Sequence, residues 1–464
     1  MAAWIAPVLI IRFLRYQRPL KGWVISVLAG WISNIFIWRD MMPVSGIFYY
    51  VLVLMMSVFT SFTFIIDRIY SARLKGFVST LVFPSAYVVM EYVTVSTNPS
   101  GSFGMLAHTQ ASLPLLQLVS VTGIWGVTFV ILWTASVINW LWDNAFQARI
   151  LRQAFWAYGA PVAGIILFGQ IRLAQGTVGG TVKVASINVP KTELRHIYSG
   201  HPDPANDRIN SAFLENCHVA ATSKAKIAFG VEILINLTAD NEDAFVASAK
   251  AVAVRDKIYI GLPLLVYSDK NPSARPVNKI TWISPQGEIL FSYCKAKPTP
   301  GEGSYGDGII RHFDSPYGRI GSAICFDMDF PAFLHQVHSA DIDIMLVPGN
   351  DWKTIAPYHT YVASFRALEQ GFNLVRAASR GLSASFDHKG RLISSQNYFA
   401  ADDVILYSDV PTRGSRTLYG MVGDAFAWGC ILFLVLTSAF VLKKGLLCRK
   451  ARRQGVEETV ASAF

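Results

Sequence analysis

The sequence predicts a multi-pass α-helical membrane domain joined to a layered α/β domain. Of its 464 residues, 52% are hydrophobic and only 16% are charged, and the apolar residues are unevenly spread. Several stretches within residues 1–173 and one near the end lack charge for about 17 to 25 residues, enough for a helix to cross the ~30 Å hydrocarbon core of a bilayer. The middle of the chain instead alternates strand-like and helix-like segments, as globular α/β domains do.

Six apolar segments qualify as membrane helices. They lie near 22–38, 45–66, 76–96, 115–141, 154–172 and 423–442. Residues 1–14 are apolar but short, which predicts a partial or tilted span. We expect no cleavable signal peptide, because no small-residue cleavage site follows the first apolar run and further spans come after it.

Basic residues fall in alternate loops between these segments. The basic loops contain Arg12, Arg15, Arg18, Lys21, Arg68, Arg73, Lys75, Arg149 and Arg152, and the C-terminal tail adds Lys443, Lys444, Arg449, Lys450, Arg452 and Arg453. The intervening loops 39–44 and 97–114 contain only one Lys or Arg between them, Arg39. Because short basic loops stay in the cytoplasm, this pattern predicts that residues 173–422 lie outside.

The predicted domain organisation follows from this topology. It comprises N-terminal membrane helices over 1–173, an extracytoplasmic domain over 174–418, a C-terminal membrane helix over 419–445 and a basic cytoplasmic tail over 446–464.

The net charge of +10 does not predict nucleic-acid binding, because the basic residues are concentrated in short loops between spans. The five cysteines are Cys217, Cys294, Cys325, Cys430 and Cys448. They show no CxxC spacing, so neither a disulfide framework nor a zinc site is expected. A Cys217–Cys294 bridge stays open as an alternative if the domain faces an oxidising compartment.

The central domain shows strand and helix patterns in alternation. Buried strands are predicted at 182–189, 226–235, 258–266, 279–284, 319–325 and 342–347, and helices at 204–223, 244–255 and 358–370. Pro285-Gln-Gly-Glu288 reads as a hairpin turn. The mixture predicts strands covered by helices.

Three polar residues stand where apolar runs end, a usual place for functional groups in an α/β sheet: Glu232, Lys295 and Cys325. A cysteine attacks as its thiolate, so it needs a base. Glu232 would take the proton, and Lys295 would favour the thiolate and stabilise the oxyanion. Glu302 would orient the lysine or pair its charge. Each residue alone has an ordinary interpretation, since a buried cysteine is more often a small apolar filler than a nucleophile.

The order of these residues and their surroundings resemble the carbon–nitrogen hydrolase (nitrilase) superfamily. The matching segments include Ser186–Pro190, Ile260-Gly-Leu-Pro263, Tyr293-Cys-Lys295, Ile324-Cys-Phe-Asp327, Asn350-Asp-Trp352, Arg366-Ala-Leu-Glu369 and Val375-Arg-Ala377. This resemblance implies an αββα sandwich with Glu232, Lys295 and Cys325 as the catalytic triad. It also implies supporting roles for Glu302, Phe326 and Asp327, with Phe326-Asp327 standing where the family usually has Tyr-Glu.

Membrane helices on both sides of the domain are similar to those of the apolipoprotein N-acyltransferase family. Thr417-Leu-Tyr-Gly-Met-Val-Gly-Asp424 resembles that family's junction before the last helix, and Pro84–Glu91 resembles a membrane segment. The chain departs from the family's pattern at Val231, at Gly101-Ser-Phe-Gly-Met105 and in the shortened Asn350-Asp-Trp-Lys353, which are expected to affect substrate choice more than reaction type.

The resemblance implies an N-acyltransferase that moves an acyl chain from a membrane phospholipid, through a thioester on Cys325, to the N-terminal amine of a diacylglyceryl-cysteine lipoprotein. It further implies a multi-pass monomer of the bacterial cytoplasmic (inner) membrane, with its catalytic domain on the periplasmic side and with no metal or organic cofactor. Trp352 and Tyr358 are the candidate substrate-binding residues near the membrane.

Two other functions remain open from the residues. A membrane-anchored amidase would use the same triad with water as acceptor, and would release free acid where a transferase keeps its thioester until an amine arrives. The second open function is that of a transporter or receptor whose hydrolase-like domain is inactive. The membrane segments contain few ionisable residues apart from Glu91, whereas a polar pathway needs several.

Overall fold

The structure is a computed structural model. It describes residues 2–42, 44–176, 179–193, 204–271, 273–299 and 302–453. The part of the predicted cytoplasmic tail after residue 453, and Gly301, lie outside the described residues.

The membrane part consists of seven N-terminal helices and a long C-terminal helix. They are α1 (Ala2–Tyr16), α2 (Pro19–Ile37), α3 (Ile47–Ser71), α4 (Phe77–Thr97), α5 (Leu113–Thr122), α6 (Ile124–Asp143), α7 (Ala148–Ala174) and α13 (Ala425–Arg453). Among the described residues, six of these helices are long and apolar enough to cross a membrane: α2, α3, α4, α6, α7 and the first 22 residues of α13. The predicted multi-pass helical domain is confirmed.

Helix α1 connects the two ends of this bundle although it has only 15 residues. At its start, Trp4 Nε1 donates a hydrogen bond to the side-chain oxygen of Gln110 at 2.9 Å. At its end, Arg15 forms a two-pronged ion pair with Asp67, with both N–O distances 3.1 Å. A helix of this length is ~22 Å long, shorter than the ~30 Å hydrocarbon core, which fits the expected partial span.

The segment predicted as one helix over 115–141 is two helices, so that prediction was wrong in its details. Helix α5 stops at Gly123, whose φ of +66° is a conformation that glycine adopts without strain. A Cβ added there would lie 2.5 Å from a ring carbon of Tyr419. The break therefore lets the phenol ring of Tyr419 pack against the backbone between α5 and α6.

The central domain contains two β-sheets. The strands are β1 (Thr181–Ile187), β2 (Ile227–Gly230), β3 (Ile235–Thr238), β4 (Tyr259–Tyr267), β5 (Val277–Ile283), β6 (Ile289–Cys294), β7 (Arg311–Ser315), β8 (Gly318–Ser322), β9 (Ile344–Asn350), β10 (Asn373–Ser379), β11 (Leu382–Phe386), β12 (Leu392–Asn397) and β13 (Ile405–Pro411). The first sheet has the order β13-β1-β2-β4-β5-β6 with β3 also beside β4, and the second has the order β12-β11-β10-β9-β8-β7.

Helices cover the outer faces of both sheets. The first sheet carries α8 (Pro204–Thr222) and α9 (Ala239–Asp256). On the second, α11 (Tyr358–Gln370) packs on β10 and β11, and α10 (Pro331–Ser339) packs on α11. Trp282 of β5 donates a 2.8 Å hydrogen bond to Ser322 of β8 within one buried core, which joins the two sheets. The αββα sandwich implied by the resemblance is confirmed.

Cys217 and Cys294 are both free thiols. Cys217 is buried on α8, and Cys294 is half-buried at the end of β6. The bridge that the sequence left open is therefore not formed.

The two domains share a second apolar core. Its buried members include Trp125 of α6, Phe365 and Leu368 of α11, and Tyr419 of the short helix α12 (Leu418–Val422). Asp424 accepts hydrogen bonds from Trp125 Nε1 at 2.7 Å and from the Tyr419 hydroxyl at 2.8 Å. The central domain therefore packs directly against the membrane helices.

A loop between α4 and α5 lies directly on the central domain. We call residues 98–105 the membrane loop. The backbone N–H of Ser102 donates to the backbone oxygen of Asp329 at 2.7 Å. The ring of Phe103 packs edge-on against the rings of Tyr358 and His359, with centroids 5.1 and 5.8 Å apart. Because Asp329 ends the turn that begins at Cys325, this loop covers the region beside that cysteine.

Gly101→Ala is expected to destabilise the protein by about 1–3 kcal/mol, the cost of a strained, crowded backbone site. Gly101 has a φ of +55°, and a Cβ added to it would overlap the backbone oxygen of Asp329. Gly46 has a similar φ of +65° but no atom within 4 Å of an added Cβ, so Gly46→Ala is the matched control for conformational strain alone. Thermal unfolding in detergent should show a larger loss for Gly101→Ala, and equal losses would contradict the described packing.

Candidate active site

The three residues singled out in the sequence meet at one end of the two sheets. Glu232 follows β2, Lys295 follows β6 and Cys325 follows β8. Lys295 Nζ donates to Glu232 Oε1 at 2.8 Å. The side chains are all buried, with 2%, 1% and 5% of their residue surfaces exposed. Residues that are 63 and 30 positions apart along the chain are thus brought into one enclosed site.

Glu302 and Asn278 hold this lysine and glutamate in place. Lys295 also donates to Glu302 Oε1. The Asn278 amide donates to Glu232 at 2.8 Å and to Glu302 at 3.3 Å. The other oxygen of Glu302 accepts from the N–H and the hydroxyl of Thr299, both at 2.8 Å. Glu302 therefore has the geometry expected of a carboxylate that orients Lys295.

Burial and neighbouring charges set the protonation of the site. Burial raises the pKa of Glu232 to about 7, against the opposing effect of Lys295. Burial lowers the pKa of Lys295, but Glu232, Cys325 and Glu302 outweigh it and the pKa rises above its ordinary value. Burial, reinforced by Glu232, raises the pKa of Cys325 well above that of a free thiol. The thiol therefore needs a base, and Glu232 is suited to accept its proton near neutral pH.

Cys325 begins a tight turn with a backbone φ of +48°, an uncommon conformation for a residue with a side chain. Asp327 fixes that turn. One of its oxygens accepts from the Ile324 N–H at 2.9 Å and from the Tyr293 hydroxyl at 2.6 Å, and the other accepts from the Lys297 N–H at 2.7 Å. Because Tyr293 lies on β6, Asp327 joins the Cys325 turn to the strand that leads into Lys295.

Of the three aromatic residues that the sequence places near the site, Trp352 and Tyr358 contact the membrane part. Phe326 packs edge-on against Phe330, with ring centroids 5.3 Å apart. Trp352 donates through Nε1 to the backbone oxygen of Asp40, in the connection between α2 and α3, at 2.9 Å. Tyr358 packs against Phe103 of the membrane loop. Trp352 and Tyr358 therefore lie at the junction of the two domains.

A second cluster of buried charged residues lies beside Cys325. No function was predicted for these residues from the sequence. We call Arg376, Asp351, His359 and Asp329 the Arg376 network. Arg376 Nη2 donates to Asp351 Oδ1 at 2.8 Å, and His359 lies between Asp351 and Asp329, with N–O distances of 2.7 and 2.8 Å. The signal that could have found it is a charged residue at the centre of the apolar strand β10.

The same region offers donor atoms of the kind that bind metals. The sulfur of Cys325 and donor atoms of Asp351 and His359 all lie within 4.8 Å of one another. However, Arg376 Nη2 lies 2.8 Å from Asp351 Oδ1, 3.0 Å from His359 Nδ1 and 3.8 Å from Cys325 Sγ. The guanidinium therefore takes the place among these donors that a metal cation would need.

With Glu232 as the base, the enzymatic rate is expected to fall below pH 7. A base must be unprotonated to act, and the pKa of Glu232 is raised to about 7. Each unit of pH below that value therefore lowers kcat/KM about tenfold. The pKa of Glu302 is lowered by Lys295 in spite of burial, so Glu302 does not add a second inflection there. The measurement is kcat/KM from pH 5 to pH 9 with folding checked at each pH, and a flat profile from pH 5 to 7 would contradict Glu232 as base.

Two families match this chain in separate parts. Residues 223–416 match the family described as Carbon-nitrogen hydrolase. Residues 1–137 match the family described as Apolipoprotein N-acyltransferase N-terminal domain. The first match contains Glu232, Lys295 and Cys325, and the second contains the membrane loop.

Proteins named apolipoprotein N-acyltransferase are similar to this chain over most of its length. An apolipoprotein N-acyltransferase of Geobacter metallireducens is 24% identical over 407 residues, covering 80% of this chain and 75% of that protein. Apolipoprotein N-acyltransferase 2 of Treponema denticola is 26% identical, covering 71% and 70%. An apolipoprotein N-acyltransferase of Bradyrhizobium diazoefficiens is 24% identical, covering 87% and 80%. Among solved structures, an amidase from Nesterenkonia sp. covers 52% of this chain and 94% of its own, with a TM-score of 0.42 and 15% identity.

Proposed function

We propose that this protein moves an acyl chain from a membrane phospholipid to the N-terminal amine of a diacylglyceryl-cysteine lipoprotein. The chain belongs to the apolipoprotein N-acyltransferase family of carbon–nitrogen hydrolases and is an acyltransferase, which is the basis of this proposal. The observation that carries the proposal is the buried Glu232–Lys295 pair beside Cys325, at the place where membrane helices cover the domain.

The first half-reaction transfers the acyl group to the enzyme. Glu232 takes the proton from Cys325, and the thiolate attacks the ester carbonyl of the phospholipid. Lys295 stabilises the oxyanion of the tetrahedral intermediate. Glu232 returns the proton to the departing oxygen, the lysophospholipid leaves and a thioester remains on Cys325.

The second half-reaction uses the same groups. The amine of the acceptor attacks the thioester carbonyl, Glu232 takes a proton from the attacking nitrogen, and Cys325 leaves as its thiolate and is then reprotonated. The product is an amide and the kinetic pattern is ping-pong. The burial of Cys325, 5% exposed, supports this scheme because a thioester awaiting an amine must be kept from water.

We further propose that the catalytic domain faces the periplasm of a bacterial cytoplasmic membrane. The charged ends of the helices support this orientation. Arg15 pairs with Asp67 and Asp143 at the end of α1, whereas Trp4 at the start of α1 contacts Gln110, in the connection that also contains the membrane loop. The basic ends of the helices are thus opposite the catalytic domain, and basic ends remain cytoplasmic.

The test is mass spectrometry of the purified full-length protein in detergent with a phospholipid of one defined acyl chain. We expect the peptide containing Cys325 to gain the mass of that acyl chain. Adding a diacylated lipopeptide with a free α-amine should remove the adduct and yield an N-acylated lipopeptide. The same lipopeptide with an acetylated amine is the matched control and should leave the adduct in place.

Two outcomes would contradict the proposal. Release of free fatty acid at the same rate with and without the amine would indicate an amidase-type hydrolase with water as acceptor. The lack of any adduct, together with unchanged phospholipid, would oppose both enzymatic functions and favour an inactive domain.

A further inference from the structure

The guanidinium of Arg376 lies against the sulfur of the proposed nucleophile. Arg376 Nη2 is 3.8 Å from Cys325 Sγ, and Nη1 is 3.5 Å from the backbone oxygen of the same residue. Arg376 is fully buried on the central strand β10. A permanent positive charge is therefore fixed beside the sulfur, on the side of the second sheet.

The rest of the Arg376 network holds this charge in position. Asp351 accepts from Arg376 at 2.8 Å, and the pKa of Asp351 falls to about 2 because Arg376 and His359 outweigh its burial. Burial lowers the pKa of His359, but Asp329 and Asp351 outweigh burial and raise it to about 9. A protonated His359 donates one hydrogen bond to Asp351 Oδ1 and one to Asp329 Oδ2, so it links the two carboxylates.

Burial raises the pKa of the Cys325 thiol, and two cations, Lys295 and Arg376, lower it, with Lys295 having the larger effect. Lys295 Nζ contacts the carboxylates of both Glu232 and Glu302, so its charge is shared between two anions. Among the described residues, Arg376 forms an ion pair with one carboxylate, that of Asp351, through Nη2. The charged groups that act on the Cys325 thiol are Glu232, Lys295, Arg376 and Asp351. Arg376 therefore adds a second positive charge at the sulfur, beside that of Lys295.

We propose that Arg376 is a fourth catalytic group, whose guanidinium stabilises the Cys325 thiolate, and that Asp351, His359 and Asp329 are positioning residues for it. The inference rests on the proposed function in taking Cys325 as the nucleophile. The proton of the thiol passes to Glu232, and the electron pair left on sulfur accepts an N–H of Arg376. When the thioester forms, that pair enters the new S–C bond and the guanidinium keeps its contacts with Asp351.

The test follows the alkylation of Cys325 by iodoacetamide as a function of pH in the full-length protein, read from the peptide that contains Cys325. An opposite charge within ~4–6 Å lowers the pKa of an acid by about 1–3. Arg376→Gln and Arg376→Met are therefore expected to move the midpoint of alkylation to higher pH by about one pH unit or more. Arg376→Lys keeps the charge, so its alkylation midpoint should stay close to that of the wild type.

Arg366→Met is the matched control. Arg366 is also fully buried and paired with a carboxylate, that of Glu369 at 3.0 Å, but its guanidinium does not act on Cys325 among the described contacts. Its loss is expected to lower the melting temperature without moving the alkylation midpoint. This control separates an effect on the thiolate from general damage to a buried ion pair.

The kinetics give a second measurement on the same variants. Arg376→Gln should lower kcat at neutral pH at least tenfold while KM for the phospholipid changes less than twofold, because Arg376 is proposed to act on the sulfur rather than in lipid binding. If one neutral variant does not fold, kcat is measured for the other. Arg376→Lys is the control that keeps the charge, and its kcat should be closer to that of the wild type than the kcat of the neutral variant.

An alkylation midpoint and a kcat unchanged in a folded neutral variant would overturn the proposal. Alkylation needs no lipid or acceptor. A shifted midpoint in a protein that transfers no acyl group would therefore refute the proposed function while leaving the contact between Arg376 and the thiolate in force.

Discussion

Cys325→Ala is expected to abolish acyl transfer, with a loss on the order of 10⁴-fold or more. The thioester is the only covalent link between donor and acceptor in the proposed reaction, and alanine has no atom that can form it. The residual rate would come from binding and from the oxyanion-stabilising groups alone. The measurement is the appearance of N-acylated lipopeptide, together with the acyl adduct on the protein.

The stability of Cys325→Ala should remain close to that of the wild type, because alanine is small and apolar and the turn is fixed by Asp327 rather than by the sulfur. Cys217→Ala is the matched control, since Cys217 is another buried free thiol of the same domain. It should keep full transfer activity. Transfer by folded Cys325→Ala at a rate within tenfold of wild type would exclude the thioester route.

Lys295→Met is expected to lower kcat by roughly 10²–10³, the loss found when one oxyanion-stabilising donor is removed. Methionine keeps most of the apolar length of the lysine side chain and removes the ammonium. Glu232 and Glu302 then lose their shared cation in a buried site, which costs roughly 3–5 kcal/mol of the free energy of unfolding. The pKa of Glu232 should also rise further, so the pH profile of the remaining activity should move to higher pH.

Lys279→Met is the control for Lys295→Met. Lys279 on the neighbouring strand β5 also pairs with a glutamate, Glu242 at 2.6 Å, but both side chains are partly exposed, 17% and 23%. An ion pair of this kind contributes about 0–1 kcal/mol. Similar losses of kcat and of melting temperature in the two variants would contradict the role given to Lys295.

The sequence allowed the two-part fold to be predicted because each part has a strong local signal. Uncharged runs of about 20 residues indicate membrane helices whatever their neighbours. The break at Gly123 escaped prediction because it depends on Tyr419, which packs there from almost 300 residues away. Contacts of that kind leave no periodic pattern in either segment.

The site was predictable to the extent that its residues stand at strand ends. Glu232, Lys295 and Cys325 follow apolar runs, and the structure brings them together, but their catalytic roles remain a proposal. Arg376 was missed because it lies within an apolar strand, where a charge has meaning only through its buried partners Asp351 and His359. Burial of a charge is a property of the assembled fold.

The Ser102–Asp329 hydrogen bond has a consequence for how the two domains divide their work. It ties the membrane loop to Asp329, which ends the turn that begins at Cys325, so the membrane part packs beside the proposed nucleophile. The membrane part therefore does more than hold the central domain at the bilayer, because its loop also packs beside Cys325. Under the proposed function, separating the two parts would uncover the region beside Cys325, and we expect water then to compete with the amine for the thioester.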